Sequence, residues 1–412
     1  MRDGARLAKR WVEQRSGRFL NGMTFAAILS ASRTSGDPAA PLRGSLHFAG
    51  QTLVEYQARQ AARAGADRIM IVVSVITPAL SQAVDRLSAD GIAVALIRDM
   101  VSMVRDAPRD ADTLLVADGA IVAQGHFEAM AERQGNALLV TDDSRASAPF
   151  ERIDAGQRWA GLARISPDLL FNTLDMIGDW DLSLTLVRSA VQAGARRVTV
   201  PQDDLLEGRV ALVDGQEQAD VAAQAVLSSG PRLQQSRGGA EHYLLAPLAR
   251  LVGPALMRMQ VPAPQMRIAA MVLGAIGLVP IELLWVGAGF CLLLLALLLA
   301  EIADRLDELA LRSPPMGWTA FVTPAVALLG IALSGDTMGT IYLALLLAIV
   351  QVADRRHRTG GIRPWMIFTP ASALILLLLA AMTGALTPMT SVATFCAIAS
   401  VGAMILLRRD QP

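Results

Sequence analysis

Phe25-Ala26-Ala27-Ile28-Leu29 is a short apolar run of the kind that fills a buried strand, and the turn-rich stretch Ser30 to Gly44 follows it. Thr52 to Ala64 then has helical spacing, with Leu53, Tyr56 and Ala61 as its apolar marks. Gly65-Ala66-Asp67 punctuates the chain before the β-branched run Ile69-Met70-Ile71-Val72-Val73. The pattern continues with a helix at about Pro78 to Ser88, a strand at Ala93 to Ile97 and a strand at Leu114 to Ala117, which ends at Asp118-Gly119. Strands alternating with helices at this spacing predict a mostly parallel sheet covered on both faces. Ligands in such sheets bind beyond the carboxyl ends of the strands. That rule singles out Asp118 and the Ser30 to Gly44 loop. Further on, Trp159 to Pro167 and Asp179 to Leu182 read as strand-then-helix. Trp180 is expected to pack, and Asp179 and Asp181 to form an acidic helix start.

Working outward, 412 residues leave room for two domains. Net charge is zero, which gives no reason to expect nucleic acid. The basic first residues (Arg2, Arg6, Lys9, Arg10, Arg15 and Arg18) lack the apolar core of a signal peptide. They form an arm that either lies on anionic headgroups or is solvated. Cys291 and Cys396 fall in apolar stretches, so no disulfide framework is expected. His47, His126, His242 and His357 show no metal-ligand spacing. Lys9 is the only lysine, so any phosphate contact by an ammonium group must come from it.

From Ile268 to Leu407 the chain reads as about six membrane spans, because crossing a bilayer core takes about 20 apolar helical residues. Arg305, Arg312, Arg355, Arg356, Arg358, Arg363, Arg408 and Arg409 follow the even-numbered spans, and the other connections carry no arginine. That asymmetry puts both termini in the cytoplasm. Ser228 to Gly239 is a polar linker, and Tyr243 to Met257 has the spacing of an interfacial amphipathic helix, which Val261-Pro262-Ala263-Pro264 breaks. The membrane part repeats itself: Glu301-Ile302-Ala303-Asp304-Arg305 is echoed by Gln351-Val352-Ala353-Asp354-Arg355. Glu301, Asp304 and Glu308 share one helix face, with Asp354 expected at similar depth. These acids either hold a hard cation or pair with Arg305, Arg312, Arg355 and Arg356. Charges near mid-bilayer are almost absent, which argues against a small-molecule transporter.

Leu29-Ser30-Ala31-Ser32-Arg33-Thr34-Ser35, then Arg43 to Tyr56, then Ala64 to Val73 resembles the sugar-phosphate nucleotidyltransferases. That family has a strand, a glycine-rich loop whose amides hold a triphosphate, a lysine motif and a glycine before the next helix. Here Ser32 and Thr34 stand where glycines are expected, Gly36 where the loop arginine belongs, and Arg43 where the lysine belongs. Gly50 and Asp118 match, the latter at the metal-binding aspartate, and Asp214 matches in the second acidic stretch while Leu212 replaces its partner. The resemblance implies nucleotide contacts at Ser32, Arg33, Thr34 and Gly50, and catalytic roles for Arg43 and Asp118.

The membrane half is similar to the CDP-alcohol phosphatidyltransferases. Their six spans carry an Asp-x-x-Asp-Gly motif at the cytoplasmic end of the second span. Asp304-Arg305-Leu306-Asp307-Glu308 occupies that place without the glycine, and the family's later aspartates are missing. The order of the halves resembles the fused inositol-1-phosphate cytidylyltransferase and CDP-inositol phosphotransferase enzymes. The resemblance implies a basic arm (1–22), a nucleotidyltransferase-like, Rossmann-like α/β domain (23–228), a linker with interfacial helix (229–266) and an all-α domain of six spans (267–412). It further implies Mg²⁺ on Asp118, Asp214, Asp304 and Asp307, a CTP-like nucleotide, a phospho-alcohol or lipid substrate, a bacterial-type inner membrane and a possible homodimer. The competing expectation is a non-catalytic homologue that regulates or scaffolds such a transferase.

Overall fold

The computed structural model describes residues 25–38, 40–176, 181–229, 238–249, 251–252, 263–312, 319–335, 338–356 and 363–407. The expectations for the basic arm, Asp179, Trp180, Arg358, Arg408 and Arg409 lie outside those residues, as do Val261 and Pro262 of the expected break, whose remaining residues from Ala263 instead open a helix. The chain divides into two compact units, Met1–Gly230 and Pro231–Pro412.

The first unit is α/β. In chain order it holds β1 (Phe25–Ala31), β2 (His47–Phe48), β3 (Gln51–Thr52), α1 (Leu53–Arg63), β4 (Ala66–Val73), α2 (Pro78–Ala89), β5 (Val94–Ile97), α3 (Met100–Asp106) and β6 (Thr113–Val116). There follow β7 (Ala120–Val122), α4 (Gln124–Ala131), β8 (Ala137–Asp142), β9 (Gln157–Ile165), α5 (Pro167–Leu174) and α6 (Leu182–Gln192). The unit closes with β10 (Arg196–Thr199), α7 (Gln202–Leu206), β11 (Val210–Leu212) and α8 (Gln216–Ser229).

Seven strands form one sheet in the order β10-β8-β9-β6-β1-β4-β5. β1 is central and pairs in parallel with β4 (Ile28↔Met70) and β6 (Ile28↔Leu115). All seven of its residues are buried, as expected for a strand covered on both faces. β9 is the exception to the parallel arrangement. It runs antiparallel to both β6 and β8, wedged between them. A separate ribbon pairs β11 with β7, and β2 with β3 forms a small hairpin.

α1 begins with a capping box in which the Thr52 side chain accepts from the Glu55 amide and Glu55 Oε2 accepts from the Thr52 amide. Although rich in polar residues, this helix is buried over Leu53 to Ala61, because its polar side chains find partners. Glu55 takes Arg86 in two hydrogen bonds of 2.8 Å, and Arg59 donates to Gln51 at 2.8 Å. Burial works against the Glu55 charge, yet Arg86 and Thr52 hold its carboxyl below the usual range.

The second unit is helical. A π-helical turn at Glu241–Leu245 precedes α9 (Ala263–Glu282), α10 (Val286–Leu309), α11 (Thr319–Leu333), α12 (Met338–Arg356), α13 (Pro370–Thr383) and α14 (Leu386–Leu407). Among the described residues, α9 packs on α10, α11 on α12 and α13 on α14. Three of the six are long and apolar enough to cross a membrane: Ala263–Glu282, Val286–Glu308 and Leu386–Ile405. The apolar helices Phe321–Leu333, Met338–Asp354 and Pro370–Thr383 are shorter. At 1.5 Å per residue α13 rises only about 21 Å. It starts late because Thr369 caps it and Pro370 opens it, after a 3₁₀ turn at Pro364–Met366. Tyr243, Leu244 and Leu248 are exposed beside buried Leu245 and Ala249, the two-faced pattern expected of an interfacial helix.

Candidate functional site

The site builds from the carboxyl ends of β1 and β6, the place sheet physics assigns to ligands. After β6 the chain turns at Asp118-Gly119 into β7, and after β1 it enters the loop from Ser32. The two are joined directly. Asp118 Oδ2 accepts the amides of Ser32 at 2.8 Å and Arg33 at 2.6 Å. Asp118 is only 6% exposed, and its Oδ1 has no hydrogen-bond partner among the described residues. Burial pushes its carboxyl up to about 6, against the pull of the Arg33 and Ser32 amides and of the Arg43 and Arg33 guanidiniums.

Asp214 reaches the same place through the ribbon. β11 pairs with β7 in a register that sets Leu212 opposite Ala120, and the Val213 amide donates to Gly119 O at 2.9 Å. Gly119 has φ of +76°, and a Cβ there would meet Val213 O at 2.5 Å, so only glycine lets the two acidic segments approach. Arg43 pairs with Asp214 at 2.8 Å through Nη2. Arg33 reaches Asp181, the N-cap residue of α6, at 3.1 Å. A cleft opens here between Ser30, Arg33, Asp118, Glu151, Asp181 and Ser183, with Phe150 and Trp159 in its wall.

The loop itself is folded onto the chain's own oxygens. Thr34 bridges Leu42, the Ser35 amide donates to Pro41 O at 3.1 Å, and the Gly36 amide donates to Asp214 O at 2.8 Å. Ser32, Arg33 and Arg43 thus lie around Asp118, and Asp214 is joined to them through Arg43. Thr34 lies in the loop hairpin. Gly50 does not line the cleft: with Ala49 (φ 52°) and its own φ of +74° it makes the turn between β2 and β3. Sequence reasoning missed three contributors, Asp181, Glu151 and Gln57. The last is a buried polar residue on α1 whose only sequence signal is a glutamine on an otherwise packed helix.

For Mg²⁺ the donor set is small. No group of three or more His, Cys, Asp or Glu side chains able to hold a metal ion forms among the described residues. Asp118 Oδ1 is nevertheless a buried oxygen without a hydrogen-bond partner among the described residues, and Asp214 is held by Arg43, whose charge also acts on Asp118. A Mg²⁺ here would take Asp214 from Arg43 and its remaining oxygens from substrate phosphates and water. In the helical unit the arrangement differs. Arg267 of α9 reaches Asp304 at 2.9 Å and Asp307 at 2.6 Å, so a guanidinium stands where a divalent cation was expected. Arg305 pairs with Glu308 at 2.5 Å, as the alternative reading of the acidic face predicts.

No protein-family model matches the chain, and no curated protein matches it. Among solved structures it is similar to a nucleotidyl transferase from Methanothermobacter thermautotroptrophicus, with 19% identity and a TM-score of 0.36, covering 51% of this chain and 100% of that one. The inositol-1-phosphate CTP transferase from T. maritima is similar at 15% identity and a TM-score of 0.38, over 51% of this chain and 98% of its own. A UDP-glucose pyrophosphorylase complexed with UDP-glucose is similar at 10% identity and a TM-score of 0.36, over 50% and 99%.

Proposed function

We propose that this is a membrane-tethered, transferase-like protein of phospholipid or phospho-alcohol head-group metabolism whose α/β unit binds a CTP-like nucleotide beside Asp118. One observation carries the reading. A buried carboxylate, two loop amides and two arginines converge beyond the carboxyl ends of β1 and β6. Arg43 offers a forked donor to two phosphate oxygens, where a lysine would offer a point charge. In the reaction, a phosphate oxygen of the phospho-alcohol attacks the nucleotide α-phosphorus, and the bond to the bridging oxygen breaks to release pyrophosphate. Asp118 and Asp214 are the residues that would hold a Mg²⁺ carried in with the nucleotide, which would supply charge neutralisation at the phosphates. The arginine asymmetry and the apolar helices support a bacterial-type inner membrane with both termini cytoplasmic.

A specific observation favours a second reading, a non-catalytic regulator of such a transferase. The Ser35 and Gly36 amides are turned onto Pro41 O and Asp214 O instead of standing open for phosphate. The test uses the full chain in detergent with CTP, Mg²⁺ and a panel of phospho-alcohols. Pyrophosphate release that disappears in Asp118→Asn supports catalysis. CTP binding without release supports the regulator. Absence of CTP binding ends the catalytic reading, and with an active transferase co-purifying it supports the regulator.

A further inference from the structure

We propose that Gln57 is the positioning residue of this cleft, its buried carboxamide fixing the turn that aims Asp118 at the loop amides. Gln57 is 1% exposed on α1, and its Nε2 donates to Ala117 O at 3.3 Å and to Ala120 O at 2.7 Å. Those carbonyls bracket Asp118-Gly119. β7 has a partner strand, β11, along one edge. Along the other, Gln57 and Gln60 supply donors as a neighbouring strand would, Gln60 Nε2 reaching Val122 O at 2.7 Å. The spacing fits. Helix positions three apart stand about 5–6 Å from each other on one face, and alternate strand residues point their carbonyls the same way about 6.8 Å apart.

Gln57 adds to the turn's other fastenings, of which the Ala117 amide on Gly161 O at 2.9 Å holds the strand side. The Ala120 amide reaches Ala117 O at 3.2 Å, and Gly119 O accepts from Val213. Gly119 has no side chain to pack. A side chain 60 positions away therefore sets where Asp118 Oδ2 meets the Ser32 and Arg33 amides. Gln60 acts on the same strand past the turn, which makes it a matched control.

The experiment is hydrogen exchange on the full chain in detergent, read at the Ser32 and Arg33 amides. Gln57→Leu is expected to speed their exchange roughly tenfold, the size of one lost buried hydrogen bond. Gln60→Leu is expected to leave them protected. Asp118→Ala should speed them by itself, and Gln57→Leu added to it should add nothing, because both act through one contact. Gln57→Met, similar in length but without the donor, serves where Gln57→Leu fails to fold. Unchanged protection in the Gln57 variants, or equal loss in Gln57→Leu and Gln60→Leu, overturns the proposal. A second arm rests on the nucleotide reading: CTP·Mg²⁺ binding should weaken in Gln57→Leu and hold in Gln60→Leu. Failure of the unaltered protein to bind CTP would remove that reading, while amide exchange still decides the role of Gln57.

Discussion

The Arg33 amide donates to Asp118 Oδ2 at 2.6 Å across 85 positions of sequence. This contact joins the first loop of the sheet to the end of its fourth-sequence neighbour strand, β6, and it places a carboxylate where the loop would meet a phosphate. The cost of that arrangement falls on Asp118, which is buried with one oxygen lacking a partner.

The first prediction concerns Asp118 and pH. Its carboxyl is raised by burial from 3.8 to about 6, so between these values the folded chain holds more protons than the unfolded one. Its contribution to stability is therefore best at low pH and declines as pH rises through that window. Asp118→Asn should raise the unfolding free energy at pH 7.5, by an amount on the order of 2–3 kcal/mol at most, and change it little at pH 4. A loss of stability at pH 7.5 would show that the charged form is the favoured one.

Glu55 has the opposite sign. Its carboxyl is held below 4.5 despite burial, so its stabilising contribution is present above that value and is lost as pH falls. Arg86→Met strands a carboxylate that is fully buried and should cost about 3–5 kcal/mol in denaturant unfolding. Adding Glu55→Gln should recover part of it. Equal losses in the single and double variants would contradict this.

Two glycines with similar φ should respond differently. Gly50→Ala meets nothing within 4 Å and should cost about 1–2 kcal/mol from the left-handed backbone alone. Gly119→Ala adds a clash with Val213 O and should cost several times more, separating Asp214 from Asp118. Thermal unfolding of the two variants side by side gives the comparison.

Arg267 should prove the counter-ion of Asp304 and Asp307. Arg267→Leu removes the cation between a buried aspartate and its neighbour, and should destabilise the α9–α10 hairpin by about 3–5 kcal/mol. EDTA should leave the unfolding temperature of the unaltered protein unchanged. A chelator-sensitive transition would instead restore a metal to this pair.

Orientation is tested with cysteines, after Cys291 and Cys396 are replaced. A cysteine at exposed Thr383, the last residue of α13 before its connection to α14, should react with a membrane-impermeant maleimide added outside intact cells. One at Arg363 should react only after lysis. The reverse pattern would invert the positive-inside reading.

Much of this was legible one segment at a time. β1, β4, β5 and β6 announced themselves as apolar runs between helices, and α1 and α2 fall where their spacing puts them, because local periodicity reports which face a segment buries. β9 was not legible as antiparallel, since a strand buried from Trp159 to Ile165 carries no mark of its direction. Apolar helices were also legible, but their length was not: three of those described are long enough to cross a membrane, and Thr369 and Pro370 shorten α13 through capping, which an apolar count ignores.

By itself, the order of residues determined the α/β class, the apolar helical hairpins and the candidacy of Asp118, since each depends on contacts among near neighbours in the chain. Only the tertiary structure decided what those residues do. It joined Asp118 to the Ser32 and Arg33 amides, drew Asp214 onto Arg43, gave Asp304 and Asp307 to Arg267, and set Gln57 under the turn. The reason is physical. Which buried polar group satisfies which other is settled by packing distant segments together, and a buried group left without a partner costs about 1–3 kcal/mol wherever it lies in the sequence.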